Sequence, residues 1–169
     1  MTFNFEIQTR RKIYNLIQKN PGIYASELAH ILELSTQLVD YHILYLERND
    51  LINVEKGKGY NRCFVKDEIS SEDKKILSIL RQVTPLKIVL YLLKYPGARN
   101  KHICKDLEMS SPHLSYHLKK LMKNDIVITD VERGYTIKNK KKITNLLIKY
   151  KPSTMAKMVE DTWKDFGPG

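Results

Sequence analysis

Hydrogen-bonding and cationic side chains recur at helical spacing in two stretches, STQLVDYHILYLERND at 35–50 and SSPHLSYHLKKLMKND at 110–125. At roughly 100° per residue, Val39, Ile43 and Leu46 share one stripe of the first, and Leu114, Leu118 and Leu121 share one stripe of the second. Apolar stripes face a core, so the remaining sides face outward. The first stretch presents Thr36, Gln37, Asp40, Tyr41 and Leu44; the second presents Ser111, Pro112, His113, Ser115, Tyr116, Lys119 and Lys123. In a DNA major groove these residue types have definite partners. Glutamine can pair with adenine, a carboxylate can accept from the cytosine amino group, and lysine can reach guanine or a phosphate. An ordinary solvated face is the competing expectation. For Asp40, repulsion between carboxylate and phosphates weighs against contact.

His42 and His117 lie beside the stripes rather than opposite them. Repeated histidines invite a metal site or a general base. A structural role is the expectation here, half-buried and hydrogen-bonded to the neighbouring hairpin or helix. His102 and Cys104 stand close together without acidic or sulfur partners, a poor ligand set. The sequence holds no glycine-rich phosphate loop, no ligand-spaced Cys/His/carboxylate cluster and no nucleophile elbow, so no enzyme, cofactor or metal is expected. Cys63 and Cys104 form neither a CxxC pair nor a disulfide framework, which suits a reducing cytoplasm. No apolar run approaches the ~20 residues that cross a bilayer, and MTFNFEIQTRRK carries no apolar leader, so no membrane partner is expected.

The two stretches belong to a longer repeat. Shifted by 75 residues, the sequence meets itself without a gap, with fifteen identities in the 49 positions from 12 to 60. Among them are Pro21-Gly22 with Pro96-Gly97, Tyr41-His42 with Tyr116-His117, Asn49-Asp50 with Asn124-Asp125, and Gly59-Tyr60 with Gly134-Tyr135. Duplication explains this and chance does not. In the first copy, Thr9 is the expected cap of a helix carrying Ile13, Leu16 and Ile17, ended by Pro21-Gly22. A second helix follows with Leu28, Ile31 and Leu32 on one side. Ser35-Thr36 caps the third, and in the second copy Ser111 before Pro112 is the expected cap. LINVEKGKGYNRCFVK then reads as a β-hairpin. Three helices and a hairpin, with a short break before the third helix, make a winged helix-turn-helix.

The string Ser-x-x-x-Val/Leu-x-Tyr-His-Ile/Leu-x-x-Leu, followed by Leu/Ile-Ile/Val after four further residues, resembles the recognition helix of ArsR-type and MarR-type winged-helix regulators. The doubled arrangement is similar to archaeal transcription regulators that carry two winged helices in one chain. The resemblance covers roughly residues 9–140. It implies a mostly α fold with small β-hairpin wings, tandem winged helix-turn-helix domains, and sequence-specific binding of double-stranded DNA. A non-catalytic interaction module of the general transcription machinery is the alternative.

Charge separates the copies. Residues 1–68 hold nine basic and nine acidic side chains, and the remaining 20 basic and 10 acidic groups carry the whole net charge of +10. A polyanion partner follows from that balance. The first wing offers Lys56, Lys58 and Arg62 around glycines, while the second keeps only Arg133. ISSEDKKILSILRQVTPLK reads as a capped helical connector with Ile76, Leu80 and Val83 aligned. After the second copy, one helix should align Ile143, Leu146, Leu147 and Tyr150, and another Met155, Val159, Thr162 and Phe166. Such stripes must be covered by the same chain or by a second subunit. A homodimer through these C-terminal helices is the expectation. The expected division is 1–69, a first winged domain; 70–84, the connector; 85–139, a second winged domain; and 140–169, the C-terminal helices.

Overall fold

Pro21-Gly22 and Pro96-Gly97 do what such pairs should. Gly22 and Gly97 adopt φ of 82° and 83°, a left-handed conformation that favours glycine, and each turns the chain out of a helix. The computed structural model describes residues 2–150, with side chains from residue 6 onward. The chain divides into two compact units between Lys74 and Lys75. In the first, α1 (Thr2–Lys19), β1 (Ile23–Tyr24), α2 (Ala25–Leu32) and α3 (Thr36–Arg48) precede the hairpin β2 (Ile52–Lys56) and β3 (Asn61–Val65). The division runs within α4 (Ser71–Leu80). Beyond it lie α5 (Val83–Lys94), α6 (Asn100–Asp106), α7 (Ser111–Lys123), the hairpin β4 (Val127–Asp130) and β5 (Gly134–Ile137), and α8 (Lys140–Lys149). Both units are therefore a helix-turn-helix followed by an antiparallel wing.

The stripes that define α3 and α7 are buried as their periodicity requires: Val39, Ile43 and Leu46 in one, Leu114, Leu118 and Leu121 in the other. Val39 and Leu114 are fully inaccessible, and burial of such a side chain contributes about 1.5–3 kcal/mol. In the first unit the core closes around Ile13, Ile17, Leu28 and Val39, with Ile23, Ile52 and Cys63 added from the sheet. That sheet has the order β1-β3-β2, and Ile23 pairs with Cys63. Burial, with Glu47 and Asp40 nearby, pushes the Cys63 thiol up to about 12, so it behaves as a small apolar side chain. Both cysteines are free.

The recurrent Asn-Asp has a structural cause. Asn49 and Asn124 cap their helices and donate from Nδ2 to the carbonyls of Tyr45 and Lys120, each at 2.8 Å. Asp50 and Asp125 follow at φ of 59° and 57°, a region aspartate tolerates better than most residues. Each then pairs with a lysine at the far root of its wing, Lys66 at 2.9 Å and Lys138 at 2.7 Å. Exposed pairs of this kind contribute about 0–1 kcal/mol, so they hold the wing in place more than they stabilise the fold.

Several sequence expectations need correcting. Thr9 is no cap: α1 begins at Thr2, since no proline or glycine stops it earlier, and Thr9 is buried mid-helix. The cap of α7 is Ser110, whose Oγ accepts from the His113 amide, which places Pro112 one residue deeper in the helix. Ile31 is exposed and Ala29 is buried in its stead, because α2 is short and unwinds at Glu33. Val83 is half exposed because α4 ends at Leu80, so the heptad-like spacing is interrupted before it. Ser70, by contrast, caps α4 as its position implies, accepting from the Asp73 amide at 3.1 Å.

The ungapped repeat also breaks inside the wings. Ile52 pairs with Val65, thirteen positions on, whereas Val127 pairs with Ile137, only ten on. The second hairpin is three residues shorter. Gly59-Tyr60 lies in the loop of the first wing, while Gly134-Tyr135 opens β5. These identical dipeptides are not equivalent in space. With the three-residue gap, Cys63 corresponds to Tyr135, and both carbonyls accept at 2.8 Å from a glycine amide, Gly22 or Gly97.

In α8 the expected stripe is present, and Ile143, Leu146, Leu147 and Tyr150 are buried within the chain. That stripe is already covered and is not available to a second subunit. The stripe of Met155, Val159, Thr162 and Phe166 lies outside the described residues. Among the described residues no single helix is long and apolar enough to cross a membrane.

Candidate nucleic-acid interface

Each unit turns one helix face and one wing to solvent. Helix α3 packs on β2 and α7 on β4, so each of these helices neighbours the wing of its own unit. On α3, Thr36, Gln37, Asp40, Tyr41 and Leu44 are all exposed. On α7, Ser111, Pro112, His113, Tyr116, Lys119 and Lys123 are exposed, and Ser115 is partly covered. Tyr41 and Tyr116 stand out at 52% and 65% exposure, large aromatic rings that the core leaves in water at the same place twice. The hydroxyl of Ser111 donates to Asn100 Oδ1 at 3.2 Å, which ties α7 to α6 and leaves its oxygen to accept.

The wings differ in chemistry. Lys56 and Lys58 are exposed on the first. The Arg62 guanidinium lies 5.4 Å from the Tyr24 ring and 5.5 Å from the Tyr60 ring, and the two rings are 5.0 Å apart. Cation–π contacts of this kind help to fix the side chain. On the second wing the Arg133 side chain is 87% exposed and 4.0 Å from Asp130. Lys120, next to the outward lysines of α7, is held by Gln82 Oε1 at 2.9 Å. The outward face of α7 is thus more basic than that of α3, and the first wing is the more basic of the two wings.

Two surface residues escaped the sequence reading. Tyr60 is half exposed at the tip of the first wing, and an aromatic inside a basic glycine loop, EKGKGYNR, was the available signal. Arg99 precedes α6 and donates to the Glu132 carbonyl at 3.4 Å, a link between helix and wing that no local pattern announces.

The paired histidines differ from expectation and from each other. His42 is fully buried, and neither ring nitrogen has a hydrogen-bond partner. Its ring meets Tyr41 edge-on at 5.2 Å. His117 is half-buried, but its Nε2 meets His113 Nε2 on its own helix, 3.1 Å away, rather than the hairpin or α6. Burial, then Arg10, holds the His42 pKa below the ordinary 6.5, with Glu6 opposing in part. The unfolded chain therefore binds a proton more readily than the native one. The stabilising contribution is complete above about pH 6.5 and is lost as pH falls towards the lower native value. The melting temperature of the first unit should drop further between pH 7.5 and 5 than in a His42→Leu variant, read by calorimetry. Parallel pH profiles for the two proteins would remove this role for His42.

No three His, Cys, Asp or Glu side chains converge as a metal cluster among the described residues. Fold and surface together define a chain with two helix-turn-helix domains in tandem, each bearing a wing. Residues 7–77 match the family model of an N-terminal HTH domain, and residues 82–129 match that of the bacterial regulatory proteins of the ArsR family. Over 129 residues, 76% of its length, the chain is 35% identical to an uncharacterized HTH-type transcriptional regulator of Methanocaldococcus jannaschii. It spans 32% of that relative's length.

Proposed function

We propose that the chain is a sequence-specific double-stranded DNA-binding transcription regulator that inserts α3 and α7 into major grooves and lays its wings on the flanking backbone. The observation that carries this reading is the outward pair Tyr116 and Lys119 beside the exposed lysine Lys123, on a helix whose opposite stripe is buried. The HTH name of the relative points the same way. In this reading Gln37, Asp40, Lys119 and Tyr116 contact base edges. Thr36, Ser111, His113 and Ser115 contact the backbone or sugar, and Lys56, Lys58, Arg62, Lys123 and Arg133 contact phosphates. The protein acts as a homodimer, with residues beyond Tyr150 supplying the interface, so that two copies engage two half-sites.

The test is selection of bound sequences from random duplex, with light scattering on the selected complex. A defined site with twofold symmetry, bound by two chains, is the expected outcome. Tyr116→Ala and Lys119→Ala should each weaken binding to that site about tenfold or more while melting like the parent. Selection that enriches nothing, together with co-purification of polymerase, would instead establish the chain as an interaction module of the transcription machinery.

A further inference from the structure

Strand register sorts the first wing into two faces. Ile23 lies opposite Cys63, and Cys63 opposite Val54, and that row packs on the core. Side chains alternate along a strand, so the neighbouring row of Tyr24, Arg62 and Glu55 belongs to the outer face. Tyr60 joins that face from the loop. Its ring centroid lies 5.0 Å from that of Tyr24, and the Arg62 guanidinium stands 5.4 Å from the Tyr24 ring and 5.5 Å from the Tyr60 ring. The loop holds the Tyr60 ring in place. The Gly57 amide donates to the Tyr60 carbonyl at 2.9 Å, and a Cβ on Gly57 would lie 3.3 Å from the ring. The ring thus rests against bare backbone, and the residue remains half exposed. Lys56 and Lys58 are exposed on either side of Gly57, and Glu55 is the one carboxylate between residues 52 and 65.

The fold does not require these side chains. With the three-residue gap, Tyr24, Tyr60 and Arg62 correspond to Arg99, Glu132 and Gly134, and the second unit builds its wing without aromatics at these positions. Two tyrosine rings on a solvent face, beside a guanidinium and two lysines, have the composition of a base-stacking platform: rings for the face of a base, cations for the phosphates along the strand. A base inside a duplex is covered on both faces by its neighbours. Only an unpaired base has a face to offer a ring. We propose that the outer face of the first wing binds single-stranded nucleic acid, with Tyr60 stacked on an unpaired base, Tyr24 and Arg62 backing its ring, and Lys56 and Lys58 on the adjoining phosphates. The site shares cations with the proposed duplex contact but does not rest on that reading, because its central group is a ring that the duplex reading leaves unused.

The test titrates the full chain into labelled oligothymidylate about ten nucleotides long and reads fluorescence anisotropy at low salt. An abasic strand of the same length carries the phosphates without the bases. The parent binds the thymidylate strand about tenfold more tightly than the abasic one. Tyr60→Ala loses that preference, Tyr60→Phe keeps it, and both melt like the parent. On random-sequence duplex, Tyr60→Ala binds within about twofold of the parent, since no base face is presented there. Oligouridylate in place of oligothymidylate decides whether the strand is RNA or DNA, and the loss in Tyr60→Ala is required on whichever binds. Equal affinity of the parent for thymidylate and abasic strands would overturn the platform. So would full preference in Tyr60→Ala, or a loss in that variant that is as large on duplex as on the single strand. A chain that binds the single strand through Tyr60 but no duplex refutes the regulator reading alone, and one that binds duplex but no single strand refutes this site alone.

Discussion

Raising potassium chloride from about 50 to about 200 mM lowers the affinity of the chain for random-sequence duplex by about a thousandfold. The expectation comes from counting the cations of the proposed DNA face. Lys56, Lys58 and Arg62 in the first unit, and Lys119, Lys123 and Arg133 in the second, give about six, and six neutralised phosphates correspond to a slope of about −5 in log K against log salt. Lys66 and Lys138 are left out because each is tied, at 2.9 and 2.7 Å, to an aspartate at the root of its wing, whereas Arg133 stands 4.0 Å from Asp130 with its side chain 87% exposed. Lys120 is left out because it is bonded to Gln82. Hence Lys66→Ala and Lys138→Ala should leave the slope unchanged, whereas Lys119→Ala and Lys123→Ala should each reduce it by about one unit. The measurement is a fluorescence titration at five salt concentrations. A slope near zero would take away the electrostatic basis of the DNA reading, and so would a loss of slope spread equally over Lys66 and Lys119.

The unequal charge of the two halves bears on how such binding is organised. The first 68 residues are neutral overall, and the surplus of ten positive charges lies beyond them. A neutral unit with a basic wing suits positioning along a backbone, while a helix bearing Lys119 and Lys123 suits the groove. Substituting the three first-wing cations together, against the three of the second unit, would apportion the slope between them.

What could be read in advance was whatever depends on periodicity. The buried stripes of α3 and α7, the helix breaks at Pro21-Gly22 and Pro96-Gly97, and the wings all follow from spacing and backbone chemistry local to the chain. What could not be read was set by tertiary partners or by a shift of one residue. Ser110 and Ser111 are chemically equivalent, and only the start of the helix decides which hydroxyl caps it. His42 and His117 share a register yet differ in burial and surroundings: the charged groups acting on His42 are Arg10 and Glu6 of α1, whereas His117 has His113 and Lys120 of its own helix. The Tyr-His identity therefore marks common descent of a fold position, not a common task. The exposure of Tyr41 and Tyr116 follows from the helical wheel, but the Arg62, Tyr24 and Tyr60 cluster joins a short strand to a loop nearly forty residues later and has no local signature.

The sharpest consequence of the shortened second wing concerns two glycines that sequence comparison equates. Gly59 and Gly134 both adopt positive φ, 86° and 75°. A methyl group on Gly59 would meet nothing within 4 Å, since the residue stands at the exposed tip of the loop. A methyl group on Gly134 would lie 2.5 Å from the Gly97 carbonyl oxygen and 2.7 Å from that of Ala98. Both obstacles are backbone, and neither can step aside. The same segment receives the Tyr135 amide on the Ala98 carbonyl at 2.9 Å and gives the Gly97 amide to the Tyr135 carbonyl at 2.8 Å. Relieving the clash therefore means breaking the clip that holds the wing to the turn before α6. Gly59→Ala should cost only the left-handed conformation, about 1–2 kcal/mol at most. Gly134→Ala adds the backbone clash and should cost about 3 kcal/mol or more. Because the two units need not unfold together, each variant is followed by hydrogen exchange at amides of its own unit, with the other unit as internal reference. Equal losses in the two variants would mean that the close approach at Gly134 relaxes at little cost, and the shorter wing would then be hinged to its domain rather than clamped.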